Sequence, residues 1–381
     1  MKARIVPVRE LSDADIDAWQ DLGRRAVEPN PLFEPSCVIA AARHQSFGDE
    51  IALAVAEEDN EFRACFPVRE VRRLGKVPYP TVTTQVRRMS YLGTPLVDAT
   101  RGDQATTALI SALMRRHRFG RGRLLALNWL GDDGPVAGYI RSAAADLGLL
   151  VGTWEDFERG ILRRQPDATY ERTRRRNLRH DLNRRRRRFA EEFGSELSIT
   201  DRAGEPNAID DYITLEAAGY KADSGVAMMS VEGESEYFRA MCQSFAAEGR
   251  LMLPTLEGNG RTLAMEVWLR AGEGLFMIKS SFDEGYARFA PGKQLHVMAM
   301  TYFHEHTDAA WIDTCTVANN DLLLRLYPDR RRITTLLIPL SRSPVDAAAV
   351  RILTVARPIY RRLRPAGARA ISRIAPFPAG G

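Results

Sequence analysis

Residues 274–306, GLFMIKSSFDEGYARFAPGKQLHVMAMTYFHEH, predict a strand, a loop and a helix in succession. Leu275–Ser281 is short and mostly apolar, which is typical of a buried strand. Pro291-Gly292 marks a turn, and apolar residues recur at helical spacing after it. Because the first turn of a helix presents free N–H groups and a positive dipole end, Gly292, Lys293 and Gln294 are candidate phosphate ligands. The same pattern also suits an ordinary turn in a mixed α/β core.

The length and composition predict a folded protein of two domains. The chain has 381 residues, of which 45% are hydrophobic and 8% aromatic, so it has material for two packed cores and is unlike a disordered or fibrous sequence. No apolar signal segment is visible at the N-terminus, and no run approaches the roughly 18 apolar residues of a membrane span. The cysteines are widely scattered, which argues against a zinc site or a disulfide framework and favours a reducing compartment. We therefore expect a cytoplasmic protein that binds no metal.

Alternating strand and helix patterns predict an α/β protein with a mixed sheet, built from two similar halves. Residues 1–165 are predicted to form one mixed α/β domain. Residues 166–345 follow the same order of elements, although no repeat is visible residue by residue. Residues 346–381 form a basic C-terminal tail, in which Pro358 is expected to interrupt a helix that begins near Val350.

Positive charge is concentrated in one predicted helix. Arg172–Arg188 contains ten arginines and a single acid, Asp181, in a chain whose net charge is only +5. The pattern is consistent with a solvated basic face, and equally with contact to an acceptor phosphate, an anionic lipid or nucleic acid. Nucleic acid is disfavoured because single-strand binders interleave aromatic residues with basic ones. We therefore prefer a phosphorylated or lipid-linked acceptor, with Arg176 and Arg179 as candidate contacts.

Five short motifs resemble, in their order and spacing, those of one enzyme family. They are Asn30–Pro35, the arginine-rich helix Arg172–Phe189, Glu216–Lys221, Phe282–Gly292 and Ile312-Asp313. With these motifs, residues 28–340 resemble the acyltransferases of the CelD/BcsL type, a branch of the GNAT superfamily akin to the FemABX peptidoglycan aminoacyltransferases. The chain departs from the family pattern at Tyr220, where tryptophan is commoner, in the residues after Asp313, and in lacking a Gly-x-Gly phosphate loop.

The resemblance implies tandem GNAT-like domains with a FemX-like architecture, and N-acyl transfer from acyl-CoA, with acetyl-CoA the first candidate. The strand Leu275–Ser281 would separate from its neighbour, and the thioester would lie in the opening. The expected acceptor is an amine on a sugar, a lipid-linked saccharide or another cell-envelope precursor, as in polysaccharide biosynthesis. The residues implied in donor binding lie in the loop and helix start after the strand: Phe282, Tyr286, Arg288, Gly292, Lys293 and Gln294.

N-acyl transfer needs a deprotonated amine and a polarised carbonyl that are held in line. The motifs imply Glu216 to orient the amine or relay its proton, and Lys221 to bind an anionic group. Asp313 is the third catalytic candidate, because it ends a strand and α/β sheets place ligands at strand ends. An ordinary helix terminus explains Glu216 and Lys221 equally well.

Three further residues are candidate substrate contacts: Tyr220, Asp283 and His296. Asp283 is explained at least as well as the cap of the turn that follows it. His296 is interpreted as a packed or pocket-lining histidine. His304 and His306 point to different faces of the predicted helix, so a metal site there is disfavoured.

Two other functions stay open. One is FemX-like transfer from aminoacyl-tRNA, which the basic helix permits. The other is a non-catalytic basic protein on a GNAT fold that binds a membrane surface or nucleic acid. The arginines of residues 172–188 and of the tail are numerous enough to hold the protein on the anionic face of the inner membrane, but basic tails are often only solvated.

Overall fold

The structure, a computed structural model, describes residues 1–86, 91–115, 122–166, 176–218, 227–318 and 320–363, without the side chains of 176–179 and 358–363. It divides into two compact units. Unit 1 comprises Met1–Phe157 and Arg332–Gly381, and unit 2 comprises Glu158–Arg331.

Strands and helices alternate along the first part of the chain. The strands are β1 (Lys2–Pro7), β2 (Ala52–Glu58), β3 (Glu61–Val71), β4 (Thr81–Thr83), β5 (Leu96–Val97), β6 (Leu124–Gly131) and β7 (Gly152–Arg163). The helices are α1 (Asp13–Arg25), α2 (Pro35–His44), α3 (Gly102–Met114) and α4 (Pro135–Asp146).

The remaining elements begin with the basic helix. The helices are α5 (Arg176–Phe193), α6 (Ala208–Ala217), α7 (Glu234–Ala247), α8 (Pro291–His306), α9 (Asp321–Leu326) and α10 (Pro344–Leu363). The strands are β8 (Ser198–Asp201), β9 (Leu251–Met252), β10 (Pro254–Gly258), β11 (Arg261–Ala271), β12 (Gly274–Phe282), β13 (Trp311–Asp313) and β14 (Asp329–Pro339).

Unit 1 is a mixed sheet covered by helices. Its strand order is β1-β2-β3-β4-β6-β14-β7, with β4 and β6 parallel and β14 antiparallel to β6. Helix α1 begins at a capping box, in which the side chains of Ser12 and Asp15 each accept from the backbone N–H of the other. On α10, Val350 and Leu353 pack into a core that includes Leu124.

Unit 2 is a second mixed sheet. The end of β7 pairs with β13, and the order continues β13-β12-β11-β10-β8. Its core contains Trp268, Phe276 and Phe303, all fully buried. Apolar side chains of β11, β12 and α8 build this core, as the apolar run and the helical spacing of residues 274–306 predict for β12 and α8. Parallel and antiparallel pairs coexist in both units, which confirms the predicted α/β class with mixed sheets.

The observed division differs from the predicted domains at both boundaries. Unit 2 begins at Glu158, within β7, rather than at residue 166. Residues 332–345 belong to unit 1 because β14 pairs along β6, from Ile333 opposite Gly131 to Pro339 opposite Leu124. The strand β7, which the sequence analysis missed, therefore carries the chain from one unit to the other.

The C-terminal segment is helical for longer than expected. Helix α10 continues past Pro358 to Leu363, so the expectation that Pro358 interrupts the helix is wrong. A proline removes one backbone donor and bends a helix, and a helix that is packed along one side can tolerate that loss. None of the described helices is both long and apolar enough to cross a membrane.

Candidate functional site

The strand β12 has a strand neighbour on both sides for only part of its length. Its parallel pairing with β13 covers Gly274–Phe276, opposite Trp311–Asp313. Beyond it, Met277–Phe282 stays paired with β11, but no strand in the described part of the chain pairs with it on the other side. The expected separation of this strand from its neighbour is present, and it exposes backbone N–H and C=O groups to the gap.

A β-bulge lies at the start of Met277–Phe282, the stretch of β12 that has a strand neighbour on one side only. Val267 pairs with Lys279 whereas Trp268 pairs with Met277, so Ile278 is the extra residue. Bulges re-aim the side chains that follow them and are common beside active sites. Here three consecutive residues, Ser280, Ser281 and Phe282, all line one cavity.

That cavity has a volume of about 470 Å³ and lies wholly within unit 2. Its walls come from β12, the loop after it, the first turns of α8, the start of α9 with its cap Asn320, and single residues of α5 and α6. The polar and charged side chains in its lining are Arg185, Glu216, Ser280, Ser281, Glu284, Lys293, His296 and Asn320.

The first turn of α8 forms one wall. Ala290, the residue before the helix, has a left-handed backbone with φ of 54°, which turns the chain into Pro291. Pro291 has no N–H, and the N–H of Gln294 donates to the Ala290 carbonyl at 3.0 Å. The N–H groups of Gly292 and Lys293 are therefore the ones that a bound anion would meet.

Gly292 also lets the helix start lie close to the strand end. A Cβ placed on it would stand 3.2 Å from Cδ1 of Phe282, tighter than ordinary contact. Glycine here keeps the end of β12 and the start of α8 in direct contact along the cavity wall.

Glu216, which lines the cavity, belongs to a buried ion pair. Nζ of Lys279 donates to Oε1 of Glu216 at 2.7 Å, and the backbone N–H of Met228 donates to Oε2 at 2.9 Å. Only 1% of Glu216 is exposed. Because both of its oxygens accept hydrogen bonds, this carboxylate is held in one orientation.

A second buried pair lies under the helix start. Nδ1 of His296 is 2.6 Å from Oε1 of Glu266, though at an angle that departs from that of a hydrogen bond. Oε2 of Glu266 accepts from Nε1 of Trp268, also at 2.6 Å. The His296 ring meets the ring of Tyr327 edge-on, and burial, with the negative charge of Glu266, raises the pKa of Tyr327 well above its usual value. The site thus contains an imidazole in close contact with a buried carboxylate.

Comparison with known proteins gives one match by sequence and several by structure. Residues 176–320 match the family model described as the acetyltransferase (GNAT) domain. These residues are a GNAT-type acyltransferase domain. No curated protein matches the chain by sequence.

The solved structures that resemble the chain extend over both of its units. FemX superimposes with a TM-score of 0.58 at 10% identity, covering 92% of this chain and all of FemX. A conserved protein of unknown function from Bacteroides thetaiotaomicron gives 0.52 at 11% identity, covering 87% of this chain and 98% of its own. The C-terminal domain of a protein assigned as a lysylphosphatidylglycerol synthetase, from Agrobacterium fabrum, gives 0.51 at 12% identity, covering 90% and 95%. These likenesses concern the fold, and with the domain match they confirm the predicted GNAT-type, FemX-like fold.

Asp313 is the last residue of β13 and does not line the cavity. It is fully buried, and its Oδ2 accepts from Arg159 at 2.6 Å and from Arg331 at 2.9 Å. Burial opposes ionisation, but the two guanidinium groups outweigh it and hold the pKa of Asp313 below its usual value. The backbone N–H of Cys315 also donates to Oδ1 at 2.9 Å. Asp313 is therefore the centre of a buried ion-pair network that joins three strands, β7, β13 and β14.

The remaining donor candidates divide between the cavity and its surroundings. Phe282, Gly292 and Lys293 line the cavity of the GNAT domain, as does His296. Tyr286 instead belongs to an aromatic cluster with Phe189, Phe193 and Phe289.

Three more candidates do not line the cavity. Arg288 pairs with Glu192 on the surface, and Gln294 is buried and donates from Nε2 to the Leu182 carbonyl at 2.8 Å. Asp283 caps the short turn after β12, accepting from the N–H of Gly285 at 2.8 Å.

Two of the predicted catalytic and substrate residues, Tyr220 and Lys221, lie outside the described residues, as do the side chains of Arg176 and Arg179. The arginine of the basic helix that does line the cavity is Arg185. Where the structure describes the chain, no cluster of three or more His, Cys, Asp or Glu side chains could hold a metal ion.

The sequence analysis missed the partners in each buried pair. Lys279 is the one charged residue of β12, Glu266 is the one acid of β11 and lies between apolar neighbours, and Arg159 lies on the strand that was not predicted. A buried charge needs a partner, so a single Lys or Glu inside an apolar strand was the available signal.

Proposed function

We propose that the protein is an N-acyltransferase that moves an acyl group from acyl-CoA, with acetyl-CoA the first candidate, to an amine. The observation that carries this proposal is the cavity between Met277–Phe282, which pairs with β11 on one side only, and the first turn of α8. It combines a helix start suited to an anion, a strand edge with no second strand neighbour in the described part of the chain, and a buried imidazole in one GNAT-type domain.

The donor would enter with its pyrophosphate at the start of α8. The N–H groups of Gly292 and Lys293 and the ammonium of Lys293 supply positive charge there, and Arg185 adds a second cation to the lining. The thioester would then lie beside Ser280–Phe282, on the side of β12 that has no strand neighbour there. A backbone N–H on that side can donate to the carbonyl oxygen as negative charge develops on it. We retain Tyr286, Arg288 and Gln294 as supports of this loop.

We assign the proton transfer to His296. The amine attacks the carbonyl carbon, a C–N bond forms, and the C–S bond breaks to release the CoA thiolate. Nδ1 faces Glu266, so Nε2 is the nitrogen that can accept the proton from the attacking amine, and the buried carboxylate would stabilise the imidazolium. The thiolate then takes up that proton, and the ring is neutral again.

Glu216 is better suited to orient the acceptor than to accept a proton. Both of its oxygens already accept hydrogen bonds, from Lys279 and Met228. We propose that it and Glu284 attract the acceptor ammonium, while Arg185 meets a phosphate on a lipid-linked saccharide or another cell-envelope precursor. On the resemblance alone, we keep Tyr220, Lys221, Arg176 and Arg179 as acceptor contacts, and we propose that Asp313 and Asp283 act by holding the site in shape.

Aminoacyl transfer from aminoacyl-tRNA is the second candidate. The observation that favours it is the FemX-like fold, which extends over 92% of the chain. The same cavity and the same imidazole would serve an ester donor, since an amine also attacks the ester carbonyl. The two candidates therefore differ in the donor and share the acceptor chemistry.

Calorimetric titration of the full chain with CoA, acetyl-CoA and longer acyl-CoAs tests the proposal. We expect saturable binding of CoA, and acyl-CoA hydrolysis or transfer when amines are supplied. Absence of binding to every CoA species, together with amine-dependent release of the amino acid from aminoacyl-tRNA, would replace the first candidate with the second. All four cysteines are buried free thiols, which fits a reducing compartment, and we propose that the reaction takes place in the cytoplasm.

A further inference from the structure

Helix α10 has one face packed on unit 1 and an opposite face of similar apolarity in solvent. Val350 and Leu353 pack into the core beside Leu124 and Leu337. On the outer side, Val345, Ile352 and Val355 are 63%, 67% and 65% exposed. With Ala348, these residues follow the spacing i, i+3, i+7, i+10, so they form one continuous stripe along the helix.

This apolar stripe (Val345, Ala348, Ile352 and Val355) is unusual on this protein. Five large apolar residues are exposed in the described part of the chain, and three of them belong to the stripe. A helix with apolar residues on two opposite faces is normally covered on both. Exposed apolar area that is gathered on one element marks a contact surface.

Charge identifies what covers the stripe. Arg351 is exposed beside it, and the sequence after Asp346 contains seven arginines and no acidic residue. An apolar stripe with arginines beside it matches an anionic bilayer, in which the acyl region takes the aliphatic side chains and the headgroups take the guanidinium groups. Nucleic acid offers nothing to the aliphatic stripe, and a second copy would bring like charges together.

The helix is fixed on its inner side. Asp346, in its first turn, accepts from the Tyr79 hydroxyl at 2.7 Å and from Ser341 Oγ at 2.5 Å, and it pairs with Arg123 at 2.8 Å. These bonds orient the stripe outward without using any of its residues. The surface is therefore formed before any partner arrives, which lowers the cost of binding.

We propose that α10 docks the protein on an anionic lipid surface through the apolar stripe and the exposed Arg351 beside it. The aliphatic side chains enter the interface between headgroups and acyl chains, and the helix lies parallel to the surface. This docking is independent of the acyl transfer proposed above, and its test needs no catalytic readout.

Co-sedimentation of the full chain with vesicles tests the proposal. We expect binding to vesicles that contain phosphatidylglycerol, little binding to phosphatidylcholine alone, and release at high salt. Ile352→Ser combined with Val355→Ser should lower the bound-to-free ratio by about tenfold or more, because two buried aliphatic side chains are lost. Met229→Ser is the matched control, since Met229 is 65% exposed but lies in unit 2, and it should change nothing.

Each other result would overturn the proposal. Binding to neither vesicle type, or equal binding to both, would remove the anionic surface as the partner. Unchanged binding of the double variant, verified as folded by circular dichroism, would mean that the stripe is not the contact. A wild-type dimer that the double variant loses would assign the stripe to a second copy, and salt-sensitive binding to duplex DNA with no vesicle binding would assign the arginines to nucleic acid.

Discussion

Nδ1 of His296 lies 2.6 Å from Oε1 of Glu266, a carboxylate with no exposed surface. The angle of this contact departs from that of a hydrogen bond, so it is a close electrostatic contact between the ring edge and the carboxylate. With Nδ1 facing Glu266, Nε2 is the ring nitrogen that remains to contact a substrate. The carboxylate thus lies directly against a ring that lines the cavity.

His296→Gln should lower kcat by about 10²- to 10⁴-fold, because a glutamine side chain cannot accept the amine proton. The KM for the acyl donor should change little, because the glutamine variant keeps the residues at the start of α8 that line the cavity. His304→Gln is the control, since that histidine of α8 contacts the Met300 carbonyl and does not line the cavity. Full turnover in His296→Gln would remove this residue from the mechanism.

Lys279→Met should destabilise the protein by about 3–5 kcal/mol, because it leaves Glu216 buried without its cation. The double variant Lys279→Met with Glu216→Gln should recover much of this loss, since it removes the uncompensated charge as well. Denaturant unfolding of the two single variants and the double variant measures the coupling. A loss in the double variant equal to the sum of the two single losses would mean that the two side chains do not interact in the folded protein.

Asp313→Asn should cost about 3–5 kcal/mol, since Arg159 and Arg331 would stay buried beside a neutral amide. The pKa of Asp313 is lowered in the folded state, so its stabilising contribution is present above the unfolded pKa of about 3.9 and is lost as pH falls through the folded value. The unfolding free energy of the variant should therefore fall less steeply in acid than that of the wild type. A variant of normal stability that has lost turnover would instead support a catalytic role.

Lys293→Ala should weaken CoA binding by about 1 kcal/mol, or roughly fivefold in Kd, because it removes one exposed cation from the start of α8. The loss should shrink as salt is added. Lys2→Ala is the control, since that lysine is equally a surface cation but lies on β1 of unit 1. Equal Kd values for wild type and Lys293→Ala at low salt would place the donor phosphates elsewhere.

Local signals predicted the centre of the GNAT domain well. The strand β12 lies within one residue of its predicted bounds at both ends, and α8 begins at the predicted Pro291-Gly292 turn, because Gly274 and Pro291 interrupt the chain there. The Gly258-Asn259-Gly260 turn between β10 and β11 is a signal of the same kind. Where turn residues flank an apolar run, the sequence alone limits the structure strongly.

Pairing between distant residues could not be read in the same way. The strand β7 carries alternating charged residues that look like surface, but the partner of Arg159 is Asp313, 154 positions along the chain. The sequence indicates His296 as a packed or pocket-lining histidine. It does not indicate the contact with Glu266, which depends on the packing of β11 against α8. The charge of a residue is local, but the neutralisation of that charge depends on the whole fold.

The order of segments in unit 1 has a consequence for synthesis of the protein. Strand β14 lies between β6 and β7 in its sheet, yet it follows all of unit 2 along the chain. When residue 331 has just been added, every segment of unit 2 has therefore been synthesised, while the sheet of unit 1 still lacks an inner strand. The nascent N-terminal segment must wait with unpaired strand edges while the GNAT-type domain folds, which makes it the part of the newborn chain with most need of a chaperone.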